Sequence, residues 1–256
     1  MQGATMTRNQ FELYRHVCDE FRAYVQELAD SMPWLPAAQE KLRLARGYFD
    51  YSIETPVVYN YALDEVSPDD DIRFIFVADN PGKNEQKKAN QRYLVGQAGK
   101  LAQGWFNREL KLDFRASGII LNKTPIHTPK TAELSLLAAE TGAHRPEFMA
   151  RLKESQIRMA NFAFLLQTGL DSTLWISGYG ELRGGRVFAP WTQEFTRLYA
   201  GIAPDKRDKV WVFRHFSMNQ FAIEYSRAYS RLPATGEPLE RLQKLGLENR
   251  ARILGW

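Results

Sequence analysis

The chain has 256 residues, with 34 lysines and arginines against 30 aspartates and glutamates, a net charge of +4, and 44% apolar side chains. Those proportions exclude intrinsic disorder, which needs few apolar residues and a large net charge, and no apolar run approaches the roughly 20 residues of a membrane span. Cys18 is the only cysteine, so an internal disulfide, a four-cysteine zinc site and a cysteine-held iron–sulfur cluster are excluded. The start, Met1 to Gln10, is polar and lacks the apolar core of a secretory signal. A soluble, cytoplasmic, metal-independent protein is expected.

The first sixty residues read as helical. Phe11, Tyr14, Val17, Phe21, Val25 and Leu28 recur at three- and four-residue steps, which is one face of a helix. After Trp34-Leu35-Pro36 a shorter helix is expected near Gln39 to Tyr48. Ile72 to Ala78 is short, β-branched and aromatic and breaks at Asp79-Asn80-Pro81-Gly82, the pattern of a buried strand running into a loop. Three similar runs come later, at Gly118 to Leu121, Thr173 to Ile176 and Val210 to Phe213. Helical patterns separate them, around Gly99 to Leu110, Glu147 to Thr168 and Pro190 to Tyr199, and two more close the chain, from about Met218 to Tyr229 and from Leu239 to Ile253.

Strands spaced by long helical crossovers imply an α/β fold: a four-stranded parallel sheet with helices on both faces. One domain is expected over 1–256, with residues 1–65 as a helical extension packed on it. Such folds bind ligands outside the carboxyl ends of their strands. The residues just after each strand are therefore the informative ones: Asp79 to Gly82, Asn122 to Pro125, Ser177 to Gly180, and Arg214 to Ser217. An acid, amides, a histidine and serines converge on one rim. Lys83, Lys87, Lys88 and Arg92 form one basic group, and Arg183 and Arg186 another; either could meet phosphates or simply be solvated.

Several chemistries fail on spacing. Val95 to Lys100 looks like the end of a P-loop, but its earlier glycine is Leu94 and Leu101 comes after the lysine. Gly178-Tyr179-Gly180 starts like a dinucleotide fingerprint, but the third glycine is Arg183. No Gly-x-Ser-x-Gly elbow exists, and Cys18 lies in the N-terminal helix, far in sequence from the rim.

The rim resembles the uracil-DNA glycosylase superfamily. Ala78-Asp79-Asn80-Pro81-Gly82 is similar to the family's first motif apart from the leading glycine, and His215-Phe216-Ser217 to its closing His-Pro-Ser, with Phe for Pro. Asn122 falls where these enzymes hold an asparagine against the base edge. Leu94 to Leu101 looks like the Phe-Val-Gly-x-Ala-Gly segment of the iron–sulfur branch, in which an acid also stands where Glu85 does. The resemblance spans roughly Ile72 to Phe221 and implies an atypical branch without the cluster.

That resemblance implies a monofunctional DNA glycosylase that flips uracil out of the stack and hydrolyses its N-glycosidic bond without cofactor, with DNA as partner and the chain monomeric. His215 would stabilise the leaving base, Asn122 would read its edge, and Asn80 would orient the water, with Asp79 or Glu85 supplying a carboxylate. Tyr93 or Leu94 would meet the flipped base, and Gly82, where the strictest uracil enzymes carry a tyrosine, implies tolerance of other deaminated bases. Lys83 and Ser217 would hold the backbone, and Met218, Asn219 or Phe221 would fill the vacated space.

Each residue also has a structural reading: Asn80 as the turn residue before a proline, Asn122 bonded to its own loop, His215 as a core histidine, Ser217 as a helix N-cap. His16, His127 and His144 read as structural or solvent-facing, and Trp105, Phe106 and Leu110 as helix core. Two other functions stay open. One is a nucleic-acid or base-binding module of the same fold with little catalysis, which Ala78, Phe216 and Leu94 favour. The other is an enzyme of free nucleosides.

Overall fold

The four apolar runs are strands: β1 (Phe74–Ala78), β2 (Gly118–Asn122), β3 (Thr173–Ser177) and β4 (Val210–Phe213). They form one parallel sheet in the order β2-β1-β3-β4, with Phe76 in register with Ile120 on one side and Trp175 on the other. The computed structural model describes residues 5–230 and 236–256. Residues 1–4, the beginning of the polar start, lie outside them.

Side chains alternate across a strand, so the sheet has two chemically different faces. Phe74, Phe76, Trp175, Trp211 and Phe213 share one face, with ring centroids 5.8 Å apart for Phe76–Trp175 and 4.0 Å for Trp175–Phe213. Phe106, Phe114, Phe216 and Phe221 close over this layer. Every one of these rings is buried, and full burial of such a side chain stabilises the fold by roughly 1.5–3 kcal/mol. The opposite face carries Ile75, Val77, Leu174 and Ile176 and is left to α5 (Arg145–Leu170), which packs across β1, β2 and β3. Helix α9 (Pro238–Leu254) lies along β4.

Helix α1 (Arg8–Ser31) starts at a reciprocal cap: Thr7 Oγ1 accepts from Gln10 N, and Gln10 Oε1 accepts from Thr7 N. Its stripe from Tyr14 to Leu28 is buried against α5, with Phe21 and Phe162 rings 5.5 Å apart, while Phe11 stays half-buried. Helix α2 (Leu35–Ala45) begins and ends earlier than its sequence suggested. Pro36 sits in its first turn, where a missing N–H costs nothing, so the Trp-Leu-Pro triplet opens the helix instead of delaying it.

The N-terminal segment does more than cover the sheet. Gln39 Nε2 donates to His127 O (2.8 Å), His127 N to Pro56 O (3.0 Å) and Val58 N to Pro125 O (2.9 Å). Three hydrogen bonds thus tie it to the loop after β2.

The remaining helices are α3 (Gln97–Trp105, continued by a wide turn Phe106–Leu110), α4 (Glu133–Glu140), α6 (Ala189–Tyr199), α7 (Pro204–Arg207) and α8 (Gln220–Tyr229). Sequence periodicity missed α4 and α7, which are too short to show a repeat. It also started α8 two residues early. Met218 (φ 53°) and Asn219 (φ 59°) are left-handed, so the helix cannot include them. Among the described residues no helix is long and apolar enough to cross a membrane.

Candidate functional site

The carboxyl ends of the four strands open into a cleft of about 560 Å³. Its walls are the loop after β1 (Asp79, Asn80, Gly82, Glu85), the segment from Leu94 to Ala98, Pro129 to Thr131 after β2, Gly178 to Glu181 after β3, and Arg214 to Gln220 after β4. Residues far apart in the chain meet here because parallel strands deliver all their carboxyl ends to one edge.

His215 lies just beyond β4 and lines the cleft. Its Nδ1 accepts from the backbone N–H of Ser217 (3.0 Å) and lies 2.8 Å from the Ser217 hydroxyl. A backbone N–H can only donate, so Nδ1 is unprotonated and the ring proton sits on Nε2. Desolvation lowers the His215 pKa, the Asp79 carboxylate opposes that, and the Lys123 ammonium adds to it. The side chain is therefore a neutral imidazole, and among the described residues its Nε2–H has no partner. Ser217 is occupied in holding that tautomer, which is a different task from gripping a phosphate.

Asn80 lines the cleft with its amide group turned to its own scaffold. Nδ2 donates to Thr128 Oγ1 (2.9 Å) and Thr128 O (3.2 Å), and among the described residues Oδ1 accepts nothing. The neighbouring Pro81 carbonyl accepts from Thr128 N (3.2 Å) and pairs with His127 Nδ1 (2.8 Å). His127 is fully buried, and burial pushes its pKa down to about 4, so it stays neutral and acts as a prop for this loop. Its sequence reading as structural agrees.

The two acids differ sharply. Asp79 is tied up: Oδ1 accepts from Lys123 Nζ (2.7 Å) and Oδ2 from Thr131 Oγ1 (3.1 Å). Lys123 is fully buried and also donates to Ser177 O (2.6 Å), so one ammonium bridges the ends of β1 and β3. Burial lowers its pKa, and Asp79 opposes the shift. Gly178 (φ +84°) makes room for the pair, since a Cβ there would stand 2.6 Å from Asp79 Oδ1. Sequence reading did not single out Lys123; its only signal was a lysine directly after a buried strand.

Among the described residues no cation forms a direct ion pair with Glu85, and Arg115 only favours its charged form from further off. Gly82 N donates to its Oε2 at 2.9 Å, and Leu94 and Val95 N–H groups also face the carboxylate. Burial outweighs these donors and pushes its pKa up to about 7. A carboxyl poised there on a cleft wall can exchange a proton near neutrality.

Asn122 ends β2 beside Ala78, its register partner, whose residue forms part of the cleft floor. Asn122 is buried, does not itself form the wall, and its Nδ2 has no partner among the described residues. A buried NH₂ left unmatched costs roughly 1–3 kcal/mol.

Three expectations are corrected. Tyr93 is fully buried with its hydroxyl on Val58 O (2.5 Å), so it belongs to the core and only Leu94 reaches the cleft. Phe221 is buried among Trp105, Trp175 and Phe213 and cannot act as a wedge. Lys83 is held by Asp50 (2.8 Å) over the Tyr48 ring (4.3 Å), and Arg92 pairs with Glu65, so half of that basic group is already neutralised. Arg183 and Arg186 are exposed and do not line the cleft, which agrees with the solvated alternative.

Met218 is 80% exposed on the cleft lip, and with Asn219 it forms consecutive left-handed residues that are not glycine. Such backbone costs of order 1 kcal/mol or more per residue and clusters at ligand-handling loops. Gly99 explains the shape of the opposite wall: a Cβ there would overlap Leu94 O, so the chain passes close under Leu94. Among the described residues no three His, Cys, Asp or Glu side chains gather as a metal site requires. Comparisons with protein-family models and with curated proteins returned no match.

Proposed function

We propose that the protein is a monofunctional DNA glycosylase that hydrolyses the N-glycosidic bond of uracil, with tolerance of other deaminated bases, on a nucleotide flipped into the strand-end cleft. The observation that carries this reading is His215, neutral, with Nδ1 capped by Ser217 N and the Nε2 proton left for the cleft. When the glycosidic bond breaks, the electron pair leaves with the base and negative charge gathers on its carbonyl oxygen. One donor placed there lowers the barrier by roughly 3–4 kcal/mol. Asn80 Oδ1, free to accept, orients the water that adds to the sugar carbon, and Glu85 takes the proton that water releases. Asn122, expected at the base edge, is buried behind the cleft floor and takes no part in this reading. Gly82 leaves open the side where a bulky ring would exclude a methyl group.

The second reading, a base-binding module with little turnover, rests on Asp79. Its carboxylate is spent on Lys123 and Thr131, and the position that would stack on a base is Leu94.

Single-turnover release of uracil from labelled single- and double-stranded oligonucleotides separates the two. His215→Ala and Asn80→Ala each reduce release at least about a hundredfold on the first reading. Wild-type rates in both variants would refute it, and tight binding of uracil-containing DNA without release would favour the module.

A further inference from the structure

A flipped nucleotide needs a hold on its phosphates, and both side chains that sequence offered for it are engaged: Ser217 on His215 and Lys83 on Asp50. We infer that Arg214 is the phosphodiester-binding side chain of this cleft, aimed by a Tyr179–Glu224–Asn249 anchor; the inference rests on the glycosylase reading above.

Arg214 directly precedes His215, is exposed, and lines the cleft. Its Nε donates to Tyr179 Oη at 3.0 Å, and its guanidinium carbon lies 5.5 Å from the Tyr179 ring centre. Tyr179 is itself fixed. Its hydroxyl donates to Glu224 Oε1 (2.8 Å), which also accepts from Asn249 Nδ2 (3.2 Å), while Glu224 Oε2 accepts the Arg214 backbone N–H (3.0 Å). One carboxylate on α8, steadied from α9, thus holds both the arginine's backbone and the ring beneath its side chain.

With Nε committed, the two terminal nitrogens remain. Among the described residues neither makes a hydrogen bond, and no carboxylate lies within 4.0 Å of the guanidinium. Two parallel N–H groups on a pre-aimed fork match two oxygens of a phosphodiester, a bidentate geometry that lysine cannot supply. Glu181 on the same wall carries opposite charge, and Lys130 across the cleft offsets it.

The test is binding of a uracil-containing single-stranded oligonucleotide, monitored by fluorescence anisotropy between 50 and 200 mM salt. Loss of one phosphate contact lowers the slope of log K against log salt by about 0.7. Arg214→Gln is expected to show that drop, and Arg214→Lys to keep the wild-type slope with weaker binding. Tyr179→Phe keeps the charge but frees it, so the slope holds while affinity falls severalfold. Arg183→Gln, at an exposed arginine outside the cleft, serves as the control with wild-type slope. A wild-type slope in Arg214→Gln overturns the inference and leaves the glycosylase reading standing. Unchanged affinity in Tyr179→Phe overturns the anchoring. Absence of binding by the wild-type chain overturns the inference and the functional reading together.

Discussion

Replacing Glu85 with glutamine should change both how stability depends on pH and how excision does. A carboxyl moved from its ordinary 4.5 up to about 7 binds its proton more tightly in the folded state than in the unfolded one. Between those values the unfolded chain releases a proton that the folded chain retains, so stability falls as pH rises through the window. The interval corresponds to about 3 kcal/mol at 1.36 kcal/mol per unit, and Glu85 is only 8% exposed, so solvent screens little of it. Glu85→Gln removes the titration. Its melting temperature, relative to wild type, should therefore be higher at pH 8 than at pH 5, by roughly 6–12 °C for a chain of this size. Thermal unfolding of both proteins across that range measures the difference, and parallel curves would refute the burial argument. The same variant tests the proton acceptor. If ionised Glu85 takes the water proton, wild-type excision rises with pH and levels off above about 7, and Glu85→Gln loses that limb; an identical profile in the variant would remove Glu85 from the role.

Two further outcomes are expected from the packing. Lys123→Met strands the Asp79 carboxylate and leaves Ser177 O without its donor, and breaking such a pair costs roughly 3–5 kcal/mol. Denaturant unfolding should show that loss and partial recovery in Lys123→Met with Asp79→Asn; no recovery would mean that the lysine stem, not its charge, matters. Met218→Ala, at an 80% exposed position, should alter stability by no more than about 0.5 kcal/mol. It should nevertheless slow excision from duplex more than from single strands, since only a duplex must be held open, and equal slowing on both substrates would remove Met218 as the wedge.

Strand order aside, the fold was legible because its signals are local. β-branched and aromatic runs ending in turn residues marked β1 to β4 to within a residue or two, and the stripe from Tyr14 to Leu28 marked α1. Short helices such as α4 carry too few turns to declare a period, and Pro36 marked a helix start that reads equally well as a break. The rim was legible for a topological reason: parallel strands place their carboxyl ends together, so the residues directly after each strand are bound to be neighbours.

What sequence could not assign is the task each neighbour already performs. Ser217 caps His215, Asp79 neutralises Lys123, Lys83 holds Asp50, and Tyr93 turns into the core. Each of these is a contact between residues distant in the chain or a matter of which way one side chain faces, and no local pattern encodes either. The chain alone determined its α/β architecture and the edge on which chemistry can occur, because both derive from strand periodicity and connection. Tertiary packing alone decided which polar groups at that edge remain free, because a buried donor or acceptor is claimed by whichever partner the fold brings within about 3 Å.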